Sequence, residues 1–235
     1  MAGHHKRDPY FPWKHLGLRS NPFKSLTKED WMGIAILQND LVDWIQNPSD
    51  ILQIHGDKGV GKSSTLFALQ KHLAQEGFKP KYFYIPMKGS KTYIDYHHPG
   101  PLLVDEVQRL SSRVRRKLYQ RNQNLNASGS QVPSLVFTTH EDFSDDLRQF
   151  LVDFKSIHLS VLDEADLAHL LERRLQYFAV DETCEVRFHP QAVHLLSGSF
   201  GPNLRQMESF LYDFFQDIPQ QPIITAELLA RHLKN

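Results

Sequence analysis

The chain has 235 residues, and its 27 basic and 27 acidic side chains cancel to a formal net charge of zero. That balance leaves no global field to draw the molecule to nucleic acid or a membrane, so any such contact must be a local patch. One cysteine, Cys184, excludes an internal disulfide and fits a reducing cytoplasm, and no apolar run approaches the length of a membrane span.

In chain order, residues 1–26 read as an extended arm, rich in proline, aromatics and positive charge and without the apolar stretch of a secretory leader. Thr27, with Asp30 three residues later, is a relative of the capping box. From there Ile34, Leu37, Leu41, Trp44 and Ile45 recur at helical spacing, which predicts one helix stopped at Asn47-Pro48. Five short apolar stretches follow: ILQIHG, KYFYIP, PLLVDE, PSLVFTTH and KSIHLS. Helical segments separate most of them, which predicts a three-layer α/β domain on a parallel sheet, assigned to residues 27–160. After Ser160 the strands stop. Four helical patterns then make a small helical domain over residues 161–235.

Between the first strand and the next helix lies GDKGVGKSS, that is Gly56, Asp57, Lys58, Gly59, Val60, Gly61, Lys62, Ser63 and Ser64. It fits G-x-x-x-x-G-K-[ST], in which glycines let backbone N–H groups curl around a phosphate at a helix N-terminus. Lys62 is placed to reach the β- and γ-phosphates of ATP, and the Ser63 hydroxyl to hold Mg²⁺. PLLVDE delivers two adjacent carboxylates at the C-terminal end of an apolar strand, where open α/β sheets bind ligands. Asp105 then orients the magnesium through its water shell and Glu106 polarises the attacking water. SLVFTTH ends the next strand in polar residues. Thr138 and Thr139 are candidates to sense the γ-phosphate, with Thr139 preferred, and His140 reads as a surface residue.

These motifs in this order resemble the AAA+ ATPases: Walker A in GDKGVGKS, Walker B in LLVDE, sensor 1 in VFTTH, and a helical lid. Within the lid, SGSFGPNLRQMESFL looks like a sensor-2 segment, which assigns Arg205 to the γ-phosphate. HLGLRSNPF and LLVDEVQRLS resemble most closely the origin-recognition, ExeA and TnsC branch. The resemblance implies a nucleotide-dependent homo-oligomer, with Arg148 as the best-placed arginine finger. It also implies a protein partner or, in the transposition-ATPase manner, duplex DNA. A transporter-type ATPase is disfavoured because no LSGGQ-like segment lies between Ser63 and Leu102.

Two features stand outside the motifs. KGSKTYIDYHHPG, residues 88–100, leaves about the minimum crossover of a dozen residues between parallel neighbours. An irregular connection is expected there, which argues against a threading pore; His97 and His98 are adjacent and point apart, so no metal site is expected. From Val107 to His140 there is no acidic residue. Arg109, Arg113 and Arg116 recur at i, i+4, i+7, predicting one basic helical face with Arg115, Lys117 and Arg121 nearby. Leu110, Val114 and Leu118 form the apolar stripe.

Overall fold

The structure, a computed structural model, describes residues 13–87, 93–126, 134–181, 184–217 and 221–234. The chain divides into two compact units, Ala35–Ser160 and the described parts of Met1–Ile34 with Val161–Asn235.

The first unit is a five-stranded, wholly parallel sheet of β1 (Ile51–His55), β2 (Lys81–Tyr84), β3 (Leu102–Asp105), β4 (Leu135–Thr139) and β5 (Phe154–His158). Its spatial order is β2-β3-β4-β1-β5, so β4 is inserted between the strand that leads into the phosphate loop and the strand that carries Asp105. Chain direction therefore diverges at β1, and in open α/β sheets ligands bind beyond the carboxyl ends of the strands at such a point. Side chains alternate between two buried faces. Leu52, Ile54, Leu103 and Val136 pack with Leu41, Trp44 and Leu66 from α2 (Asn39–Gln46) and α3 (Lys62–Gln75). Ile51, Leu102, Val104 and Phe137 pack on the other face with Leu118 and Leu147 from α4 (Ser112–Asn126) and α5 (Ser144–Arg148). Burial on both faces is why these strands read as near-continuous apolar runs.

The described residues of the β2–β3 connection, 85–87 and 93–101, form no helix. Ile85 and Ile94 fill the space against α4. Arg121, 7% exposed, donates to the carbonyls of Tyr96, His98, Gly100 and Ser134. One guanidinium thus satisfies three carbonyls of the connection and ties them to the Ser134 carbonyl just ahead of β4. Gly100 is forced by the same tight path, because a Cβ there would lie 2.3 Å from the Lys79 carbonyl oxygen. Residues 88–92 of the stretch lie outside the described residues.

The second unit is helical: α1 (Lys28–Ile34), α6 (Glu164–Phe178), α7 (Pro190–Phe200), α8 (Leu204–Gln216) and α9 (Ala226–Leu233). Three sequence expectations change here. The arm, from Trp13 on, is not a separate extended segment: Leu16, Leu18 and Phe23 belong to this unit's core. Asn21 donates to the Tyr212 carbonyl, and buried Arg174 donates to the carbonyls of Pro22 and Lys24 and pairs with Glu208. The single helix predicted over Lys28–Gln46 breaks at residues 35–38, because Ile34 is buried in this core while Leu41 and Trp44 are buried in the α/β core. Its cap holds: the Asp30 amide donates to Thr27 Oγ1 at 3.1 Å and the Thr27 amide to Asp30 Oδ2 at 2.9 Å. Strands also do not stop at Ser160. Two two-residue strands, β6 (Arg187–Phe188) and β7 (Ile223–Ile224), pair in parallel, too short to leave an alternating pattern.

Candidate active site

The phosphate loop runs from β1 into α3 through a backbone that side chains resist. Gly59 and Gly61 have φ of 97° and 96°, and a Cβ on Gly56 would lie 2.6 Å from the Leu159 carbonyl oxygen. Val60 is buried in the core and anchors the loop, whereas Asp57 and Lys58 are exposed. Gly61 is the N-cap of α3 and supplies no side-chain acceptor, so the first-turn N–H groups near Lys62, Ser63 and Ser64 have no side-chain cap. That arrangement suits an anion. Lys62 is 5% exposed and folds back over the loop, donating to the carbonyls of Gly56 and Asp57 at 2.7 Å each. Burial pushes its ammonium below the ordinary lysine value, against the pull of Glu106, Asp105 and Asp57.

Asp105, 1% exposed, is loaded on both oxygens. Oδ2 accepts from Ser63 Oγ at 2.7 Å and from Tyr82 Oη at 3.0 Å, and Oδ1 accepts from Thr138 Oγ1. Ser63 and Asp105 are hard oxygen donors held side by side, a set that fits a small divalent cation such as Mg²⁺. Glu106 follows at φ 68°, ψ 44°, a left-handed backbone that its own Cβ opposes. Its amide donates to Thr138 Oγ1 at 3.0 Å. Its carboxylate accepts from Gln108 Nε2 at 2.6 Å, pairs with Arg109 at 2.8 Å, and lies 3.4 Å from His140 Nε2.

His140 is the residue that joins the two motifs. Its Nδ1 is 3.3 Å from Lys62 Nζ while its Nε2 meets Glu106. Lys62 can only donate, so the consistent arrangement is a neutral imidazole that accepts at Nδ1 and donates at Nε2. Thr139, fully buried, instead accepts the Glu141 amide through Oγ1 at 3.0 Å. The turn that carries His140 is fixed from below by Gln53, buried in the middle of β1. Gln53 donates to Asp142 Oδ1 at 2.6 Å and accepts the Phe143 amide at 2.7 Å.

The basic helical face is smaller than its spacing predicts. Arg109 lies in a separate 3-10 turn, Val107–Arg109, and is spent on Glu106, the Tyr84 hydroxyl and the Ile85 carbonyl. Arg115 donates to the Leu110 carbonyl, pairs with Asp146 and covers the Phe143 ring. Arg113, Arg116 and Lys117 remain exposed on α4. Arg148 is exposed at the end of α5 and pairs with Asp145. Arg205 is exposed in the first turn of α8, in the helical unit. Among the described residues no His, Cys, Asp and Glu cluster could hold a metal by itself, and no helix is long and apolar enough to cross a membrane.

Comparison with known proteins agrees with this geometry. Residues 52–136 match the family described as RNA helicase, and that span runs from β1 through both motifs to β4. No curated protein sequence matches the chain. Among solved structures, a RuvB variant from Thermotoga maritima aligns at TM-score 0.57 and 13% identity, over 88% of this chain and 67% of that one. A DNA replication initiation factor aligns at TM-score 0.57 and 14% identity, over 89% and 69%. AMPPCP-bound DnaA from Aquifex aeolicus aligns at TM-score 0.56 and 15% identity, over 97% and 70%. The fold is that of the AAA+ P-loop NTPases. Around the two motifs stand His140 between Lys62 and Glu106, Tyr82 on the Asp105 carboxylate, and a β2–β3 connection held by Arg121.

Proposed function

We propose that the chain is an ATP-binding, Mg²⁺-dependent ATPase that acts as a nucleotide-dependent assembly switch on a protein partner. The observation that carries the chemistry is the convergence of Lys62, Ser63, Asp105, Glu106 and His140 at the carboxyl ends of three adjacent strands. In this reading the phosphates displace the Gly56 and Asp57 carbonyls from Lys62, and Ser63 with Asp105 holds the cation. When bound, Mg²⁺ would supply positive charge to offset the negative charge developing on the phosphates. Glu106 polarises the attacking water. His140, rather than Thr139, takes the sensor-1 position. Arg205 serves as sensor 2 from the helical unit, which works as the lid, and Arg148 acts on the nucleotide of a neighbouring subunit. The family match to RNA helicases covers only the nucleotide-binding span, and the helix-free described part of the β2–β3 connection favours a switch over a threading motor.

The test is nucleotide binding and turnover in wild type and Glu106→Gln. Expected is Mg²⁺-dependent ATP hydrolysis in the wild type and its loss by about 10²-fold or more in the variant, with binding retained. A wild type that binds no ATP, or a variant that hydrolyses it normally, would sink the reading. A second reading, a regulator of the transposition-ATPase kind that polymerises on duplex DNA, is favoured by one observation: Arg113, Arg116 and Lys117 share an exposed stretch of α4 that holds no acidic residue.

A further inference from the structure

We propose that Tyr82 is a positioning residue for the cation site: its phenol fixes the Asp105 carboxylate and so sets how strongly Mg²⁺ tightens nucleotide binding. The inference rests on the ATPase reading above and concerns a residue that neither the motifs nor the comparisons assign.

A carboxylate offers about four lone-pair positions. Three on Asp105 are taken by protein hydroxyls, from Ser63, Tyr82 and Thr138, which leaves about one for a cation or its water shell. The three donors differ in what else they do. Ser63 stands on the phosphate loop and is itself a cation ligand in this reading. Thr138 also receives the Glu106 amide, so it ties β4 to the Walker B turn. Tyr82 alone comes from outside the nucleotide motifs, on β2, the edge strand next to β3. Its ring is seated against Phe67 of α3, centroids 4.9 Å apart, so the hydroxyl is delivered by a side chain with little freedom of its own. The phenol hydroxyl donating to Oδ2 holds the carboxylate plane in place when Ser63 turns its oxygen toward a cation. Without it, Asp105 keeps only Thr138 and a Ser63 whose hydroxyl is shared.

The experiment measures binding rather than turnover. Fluorescent N-methylanthraniloyl-ADP is titrated into wild type and Tyr82→Phe, first in EDTA and then across a Mg²⁺ series. Phenylalanine retains the packing on Phe67 and removes the hydroxyl, and thermal melting of both proteins checks the fold. The expected result is unchanged affinity in EDTA. The Mg²⁺ concentration for half-maximal tightening rises about tenfold, the scale of one hydrogen bond to a charged group. Ser63→Ala, which removes a ligand outright, should abolish the tightening and marks the floor. A Tyr82→Phe curve that overlays the wild type overturns the inference and leaves the ATPase reading standing. Equal weakening in EDTA and Mg²⁺ also overturns it, since that reports a general structural role. A wild type that fails to bind the nucleotide removes both.

Discussion

At the residue scale, Glu106 has a backbone conformation that costs an ordinary residue roughly 1–2 kcal/mol, and such strain persists only where the surroundings over-determine it. Thr138 on the amide, and Gln108, Arg109 and His140 on the carboxylate, supply that determination. Of these, His140 is the one that also touches Lys62, so it can report to Glu106 when the lysine moves to a phosphate. Replacing His140 with alanine should lower kcat by about 10²-fold, the usual scale for one positioned polar group in a transition state. Thr139→Val should instead cost roughly 1 kcal/mol of stability through the lost bond to the Glu141 amide, with kcat nearly unchanged. Steady-state kinetics and thermal melts of the two variants decide it; the opposite pattern would return the sensor role to Thr139. From sequence Thr139 is preferred and His140 reads as a surface residue, because side-chain direction at a strand end is set by the turn that follows and is not written in the strand. Here that turn is tied down by Gln53, far away in sequence. Tyr82 was hidden for a related reason. In KYFYIP it is one of two alternating tyrosines, and the same alternation describes any half-buried edge strand.

At the element scale, what could be read from the sequence depended on whether one helix or strand answered to one core. Walker A and Walker B were plain because the backbone chemistry itself demands those residues. The basic helix was harder: counting Arg109, Arg113 and Arg116 as one face assumes an unbroken helix. The left-handed Glu106 and the 3-10 turn after it put Arg109 on a different element. Arg121 could have been separated by pattern, since it follows Val114 by seven and Leu118 by three and so falls on the apolar stripe. An arginine there must be buried with acceptors, and it is, against four carbonyls. Among the described residues Arg113, Arg116 and Lys117 stay exposed on α4, and the duplex reading stands on them. Contact through these basic side chains would be with phosphates and therefore steeply salt-dependent. If duplex DNA is bound here, Arg113→Glu with Arg116→Glu should weaken binding uniformly across sequences. It should also flatten the plot of log affinity against log salt by about two units. Mobility shifts across a salt series that are the same for wild type and the double variant would remove DNA from this face.

At the scale of the whole molecule, a switch needs a way for one chain to respond to the nucleotide on another. Arg148 is the described side chain best suited to that role. It sits at the end of α5, and its side chain is 67% exposed. Its ion-pair partner Asp145 is 92% exposed. Exposed pairs of this kind contribute only about 0–1 kcal/mol, so releasing Arg148 to an incoming phosphate costs little. A zero net charge adds no long-range repulsion between copies, which leaves the nucleotide itself as the term that can tip the equilibrium. Light scattering should therefore show a larger particle with a non-hydrolysable ATP analogue than with ADP, and wild-type turnover per chain should rise with protein concentration. Arg148→Ala should keep nucleotide binding and lose that concentration dependence, because the group missing from each site belongs to its neighbour. Mixing Arg148→Ala with Glu106→Gln sharpens the argument. Each variant lacks what the other supplies, so a mixed assembly contains some sites with both groups intact, and activity should reappear that neither protein has alone. A particle of constant size, turnover per chain independent of concentration, and no recovery on mixing would together show a monomer that completes its own site.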